Sequence, residues 1–299
     1  MNSLSRLPQR RLTALFLFLA SLSQPAQSAV NDVFPTDYAT LPAGATVVSV
    51  YGYHRHSEGP YAQGQKQMDG KLDVPIAALR VLGFTKLGDM TFAPMVIVSW
   101  AAIKAAPSAL SNQIGPDAYG YGDLRLGGTL WLIDDAQKQE YLGLTVTAIL
   151  PTGSYDSKRA LNIGENRWRL LLGGGWIKPL SERVILEVWP EVVFYGDNND
   201  FLGQNTLAQR QTYALTGTLR YHFTPAFQVF GSAQLNRGGA TTIGQVDQQN
   251  PANNTRVSLG ASYFTFGNQM WTLRYSRDTH IENGFKTADE LALRCLVFF

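Results

Sequence analysis

Residues Gly122 to Leu150 read GDLRLGGTLWLIDDAQKQEYLGLTVTAIL. Every second position is apolar or small: Leu124, Leu126, Gly128, Leu130 and Leu132, then Leu142, Leu144, Val146, Ala148 and Leu150. Between them stand Asp123, Arg125, Gly127, Thr129 and Trp131, then Tyr141, Gly143, Thr145 and Thr147. Alternation sustained over about ten residues is the period of a β-strand with one apolar and one polar face. The polar run Asp134 to Gln139 joins the two halves as a turn. The stretch is a hairpin.

The same pattern extends in both directions. Toward the C-terminus, strands are expected at Arg167–Ile177, Arg183–Tyr195, Gln211–Phe223, Phe227–Asn236, Thr255–Phe266, Gln269–Thr279 and Glu290–Phe299. Toward the N-terminus they are expected at Met90–Ala101, Val74–Phe84 and Thr46–Tyr53. Pro75 weakens the second of these, in which Arg80 is placed inward. Residues from His54 to Lys71 read as a polar loop; Ile103–Tyr121, Pro151–Asn166, Gly196–Arg210 and Arg237–Asn254 read as further long loops. The count is twelve strands, with short and long connections alternating from the second onward. An even number puts both ends of a closed antiparallel barrel on one side.

Composition narrows the class. Hydrophobic residues make up 45% of the 299 positions but charged residues only 16%, below the usual quarter. A mean hydropathy of -0.10 is too polar for a bundle of membrane helices. A formal net charge of +2 provides no basic footprint for nucleic acid. The single cysteine, Cys295, excludes an internal disulfide. Arg6, Arg10 and Arg11, the apolar run Leu12–Leu22 and the small residues of Ala26-Gln27-Ser28 form a secretory signal, residues 1–28. Residues 29–44 are expected to lie in the periplasm or to plug a lumen, and 45–299 to form the barrel. No apolar run of about 18 residues follows, so the exported chain enters a membrane as strands.

Alternation also fits a soluble sandwich or a lipocalin-like barrel with its apolar face inward. Three features favour the membrane. Aromatic residues on the apolar face collect at strand ends: Trp176, Tyr221, Phe223, Phe227, Trp271 and Phe299 on the short-turn side, Trp100, Trp168, Phe194 and Tyr213 opposite. Two such girdles flank an aliphatic band where rings sit at both interfaces. From the third strand onward the outward face is expected to carry no Lys, Arg, Asp or Glu. The chain ends on the outward-facing Phe299, the kind of terminal aromatic that bacterial outer-membrane proteins present to the barrel-assembly machinery.

The residues Gly122-Asp123-Leu124, the strand exit Leu150-Pro151-Thr152-Gly153-Ser154-Tyr155-Asp156 and the block Asn162-Ile163-Gly164-Glu165-Asn166-Arg167-Trp168 resemble the meta-pathway phenol-degradation (MetA-type) outer-membrane transporter family. The resemblance runs through the mature chain and is sharpest from Gly122 to Trp168. It implies a transporting outer-membrane barrel linked to catabolism of aromatic compounds, without assigning a substrate.

With the register set, the inward charges are Arg125, Arg167, Arg169, Arg220, Arg256, Arg274 and Arg294, with Arg80, against Asp123, Glu187, Glu191, Asp278 and Glu290. The arginine excess reads as an eyelet favouring anionic solutes. The alternative is mutual neutralisation, Arg167 and Arg169 against Glu187 and Glu191 on the next strand. No enzyme motif is visible: His54, His56, His222 and His280 stand in no Ser/His pattern. His54-x-His56 has no third metal ligand in view, and Gly196–Asp200 lacks the spacing of an EF-hand. No metal or cofactor is therefore expected. The expected function is passive uptake of small molecules, aromatic or acidic, through a barrel held in outer-membrane lipid. A non-conducting adhesin-type barrel is the second reading and an outer-membrane lipid hydrolase the third.

Overall fold

The computed structural model describes residues 33–108, 110–114, 117–265 and 267–299. The expected signal sequence, residues 1–28, lies outside them. Twelve long strands form the wall: β1 (Thr46–Ala62), β2 (Lys71–Gly83), β3 (Met90–Ala105), β4 (Arg125–Asp135), β5 (Glu140–Ile149), β6 (Arg169–Pro179), β7 (Val184–Tyr195), β8 (Thr212–His222), β9 (Phe227–Gly238), β10 (Ala252–Phe264), β11 (Gln269–His280) and β12 (Gly284–Phe298). Each pairs antiparallel with its neighbour in sequence. β12 returns to β1, from Val47 opposite Phe298 to Tyr61 opposite Gly284. Thr46 and Phe299 exchange backbone hydrogen bonds of 3.0 and 2.9 Å at the seam. Closure leaves the wall no free edge, the condition for β-structure to stand in lipid.

The hairpin β4–β5 behaves as its alternation predicts. Leu126, Leu132, Leu144 and Val146 are exposed on the outer face, while Trp131, Thr145 and Thr147 are buried inside. An eleven-residue strand such as β4 is about 37 Å long at ~3.4 Å per residue. Tilted by about 40°, it covers the ~25 Å apolar band of an outer-membrane barrel. The outer surface is aliphatic between rings of Trp100, Trp168, Phe194 and Tyr213 at one end and Tyr221, Phe223, Trp271 and Phe299 at the other, all exposed. No helix among the described residues is long and apolar enough to cross a membrane. The protein is an antiparallel barrel of the bacterial outer membrane.

This orientation makes a prediction: Leu144→Arg should cost about 2–4 kcal/mol, the penalty for a cation on the lipid face near mid-membrane. It would be measured as a lower urea midpoint for unfolding from lipid vesicles. An unshifted midpoint would mean that the face does not meet lipid.

Two expectations are corrected. Residues 54–62 are strand rather than loop, because β1 pairs with β12 as far as Tyr61 and with β2 as far as Glu58, while Tyr61 and Ala62 pair with Lys66 and Gln65. Its edge hydrogen bonds are satisfied on both sides, so polar composition did not terminate it. Second, Arg277 lies on the outer face of β11 and is exposed. It stands six positions beyond Trp271, where a long stem carries the guanidinium toward the outer interface.

The long loops are structured. Asn198–Phe201, Asn205–Gln209, Thr241–Ile243 and Val246–Asp247 make a separate four-stranded sheet at the outer end. Phe201, Leu207 and Ile243 form its core. A short helical turn, Ser111–Ile114, belongs to the loop after β3. With Leu161 and Ile163, its Leu110 and Ile114 cover Leu72, Val74 and Ile103 on the inner wall. This apolar cluster caps one side of the mouth.

Candidate functional site: a charged lumen between an outer loop and the N-terminal segment

Strand parity aims the buried ionisable side chains of the wall into the lumen, and there they meet partners of opposite charge. Glu187 is buried, bonded to Arg220 and accepting the backbone N–H of Thr36 at 3.1 Å. Arg220 also donates to Gln228 at 2.7 Å. Glu290 accepts from Arg55 at 2.6 Å and contacts Arg274 at 3.4 Å. Asp278 accepts from Arg256 at 2.8 Å and from the Thr287 N–H at 2.7 Å. Charges buried in this way persist only when paired and hydrogen-bonded.

The expected pairing of Arg167 and Arg169 with Glu187 and Glu191 does not form. In register, Arg169 stands opposite Tyr195, while Glu191 stands opposite Gly173, four residues along the strand. Arg167 and Arg169 instead converge on Glu165, at 2.8 and 2.7 Å. Burial opposes ionisation of Glu165, but the guanidiniums of Arg169 and Arg167 outweigh it and hold its pKa below the usual carboxylate range. Glu191 stays buried on the inner face of β7.

Asp123, expected as a lumen charge, is an anchor. One carboxylate oxygen accepts the Gly153 N–H at 2.9 Å and the other accepts the Glu165 N–H at 3.1 Å. Burial raises its pKa despite those two bonds. The loop it holds crosses itself at Gly153 and Gly164, where a Cβ on either would lie 2.7 Å from the other's backbone. Asn198 ties this loop to the outer sheet, donating to Tyr155 Oη at 2.9 Å and to the Glu165 carbonyl at 3.0 Å.

From the opposite end, residues 33–41 enter the lumen. Asp37 accepts two bonds from Arg80, 2.9 and 3.1 Å, and one from Arg294 at 2.6 Å. Arg294 also donates to the Pro35 carbonyl at 3.1 Å. The Phe34 ring, fully buried, lies between the guanidiniums of Arg274 and Arg294, 4.1 and 4.6 Å from its centroid. Tyr38 receives Trp131 Nε1–H on its carbonyl at 2.8 Å and the Thr145 hydroxyl on its own at 3.1 Å. Its ring occupies the space that a Cβ on Gly175 would need, the nearest ring atom standing 2.0 Å from that position.

Beside the loop, against the inner wall, lies a chamber of about 120 Å³. Tyr51, Tyr53, Arg55, Arg80, Arg125 and Arg169, with the carboxylates of Asp123 and Glu165, give it an aromatic and charged side; Val74, Ile76, Ile97 and Ile163 give it an aliphatic one. Of the residues expected in the lumen, Arg80, Asp123, Arg125 and Arg169 border this chamber, whereas Arg220, Arg256, Glu187 and Glu191 do not. Asp37, Arg55, Glu165 and the tyrosines escaped the sequence reading. For Arg55, Tyr51 and Tyr53 the signal was present: odd positions continue inward from β1 once that strand is extended.

The profile of the family described as "Putative MetA-pathway of phenol degradation" matches residues 53–289. The crystal structure of the COG4313 outer membrane channel from Pseudomonas putida F1 is 30% identical, with a TM-score of 0.84 over 90% of this chain and all of that one. Two more distant structures share the fold. The TodX monoaromatic hydrocarbon channel deltaS2 mutant has a TM-score of 0.51 at 12% identity, over 88% of this chain and 91% of that one. The translocator domain of the autotransporter NalP from Neisseria meningitidis has 0.50 at 14%, over 97% of each. No curated protein sequence matches the chain.

Proposed function

The chain belongs to this MetA-pathway phenol-degradation family, and from that premise we propose that it is an outer-membrane channel for passive uptake of small aromatic compounds carrying an acidic group. The observation that carries this reading is the chamber. At about 120 Å³ it is close to the roughly 150 Å³ cavity that accepts a single benzene ring. Ile163 of the buried apolar cluster borders it, and the arginines among its lining would attract carboxylate or phenolate. The solute would thus meet apolar contact and compensating charge in one chamber. No nucleotide motif is present in the sequence, so transport runs down a gradient.

Planar-bilayer conductance and liposome uptake of benzoate against benzyl alcohol test the proposal. Uptake of both, faster for the anion, is expected. Absence of both conductance and uptake would favour a closed structural barrel, a reading supported by the segment 33–41 lying in the lumen.

The ion pairs predict selectivity. Glu165→Gln leaves Arg167 and Arg169 without the carboxylate they share, so the reversal potential in a salt gradient should move toward the anion limit. Arg167→Gln with Arg169→Gln should move it the other way. If neither variant shifts it, these pairs fix the loop without shaping the path.

A further inference from the structure

We propose that the outer surface of the barrel wall carries a site for an imidazole-preferring divalent cation, of the Zn²⁺, Ni²⁺ or Cu²⁺ class, ligated by His54, His56 and Asp73 and oriented by Asp289. His54 and His56 are two residues apart on β1 and therefore share one face. That face is the outer one, where both rings are about half exposed. Register places Asp73 of β2 opposite His56 on one side and Asp289 of β12 opposite His56 on the other. Three neighbouring strands thus deliver four potential donors to one spot, beside the seam that closes the barrel.

One donor atom from each of His54, His56 and Asp73 lies within 4.8 Å of the other two. His54 Nε2 is 2.5 Å from Asp73 Oδ1, and His56 Nε2 is 3.5 Å from the same oxygen. Tetrahedral ligands at about 2.0–2.2 Å from zinc stand ~3.4 Å apart. The His56–Asp73 separation already has that value, and the His54 contact reaches it by a side-chain rotation. Asp289 Oδ1 lies 2.7 Å from His56 Nδ1. A carboxylate bonded to one ring nitrogen fixes the tautomer and leaves the other nitrogen unprotonated, the arrangement that supports metal-ligating histidines. In the neutral ring this aims the Nε2 lone pair at the Asp73 carboxylate, acceptor against acceptor. A cation between the two atoms relieves that conflict.

The site also has access. Along β3, Lys104 opposite Asp73 is four residues beyond Trp100 opposite Ala77. The cluster therefore stands past the outer aromatic ring, within reach of water, and a water can fill the fourth position.

The test is calorimetric titration of ZnCl₂ into the chelator-treated, tag-free, full-length protein in detergent. One ion per chain should bind, with a higher unfolding temperature because the metal links β1 to β2. His54→Ala with His56→Ala should abolish saturable binding, and Asp73→Asn should weaken it. Asp289→Asn, which touches no metal, should weaken it by roughly 10- to 100-fold. Heat-modifiable gel mobility confirms that each variant is folded. No saturable binding by the parent protein, or equal binding by the double histidine variant, would overturn the site. An unchanged affinity in Asp289→Asn would overturn the orienting role.

Discussion

Changing Phe34, Asp37 and Tyr38 together to Ala should raise single-channel conductance several-fold. These three residues carry most of what holds segment 33–41 across the lumen. Asp37 is the shared carboxylate of Arg80 and Arg294. Phe34 fills the gap between Arg274 and Arg294, and Tyr38 anchors the segment to Trp131 and Thr145. Loss of a partner from a buried charge pair costs about 3–5 kcal/mol, which favours release of the segment. The same change uncovers two guanidiniums, so anion preference should rise with conductance. Gly175→Val provides an independent route that alters no charge. Its side chain would occupy the place of the Tyr38 ring, since even a Cβ would lie 2.0–2.4 Å from it. Both variants should conduct more than the parent. Parent-level conductance in both would mean that solute passes beside the segment and that the lumen is not obstructed there.

How far the fold could be read from the sequence depends on what sets each feature. The β4–β5 hairpin was legible because alternation is a local signal with a fixed period, and the aromatic ends of strands are local too. The outer end of β1 was not, since its pairing with β12 joins residues more than 220 positions apart, and composition carries no such information. For the lumen charges, parity determines the face, whereas the partner depends on register. Arg169 met Tyr195 instead of an acid for that reason, and Glu165 reached it from a loop whose path no periodicity describes. Asp37 was hidden in the same way, in a segment without period. The His54–His56 spacing was visible, but its third ligand came from the neighbouring strand.

Glu290→Ala should be the most destabilising single substitution in the wall, by about 3–5 kcal/mol. Glu290 is fully buried on the inner face of β12, directly opposite Arg55 of β1, and also faces Arg274 of β11. Truncation leaves two buried guanidiniums without the carboxylate between them, at the seam where the barrel closes. A pair of the same chemistry at the surface sets the scale. Lys138 and Asp135 meet at 2.9 Å at the tip of the β4–β5 turn, largely in water, and such pairs contribute about 0–1 kcal/mol. Lys138→Ala should therefore leave the urea midpoint almost unmoved while Glu290→Ala lowers it clearly. Burial, not distance, separates the two cases. Arg55→Met combined with Glu290→Leu should recover part of the loss, because removing both charges of a buried pair spares the desolvation that removing one exposes. If Glu290→Ala behaves like Lys138→Ala, water in the lumen screens these charges. The pairs would then contribute little to holding the wall.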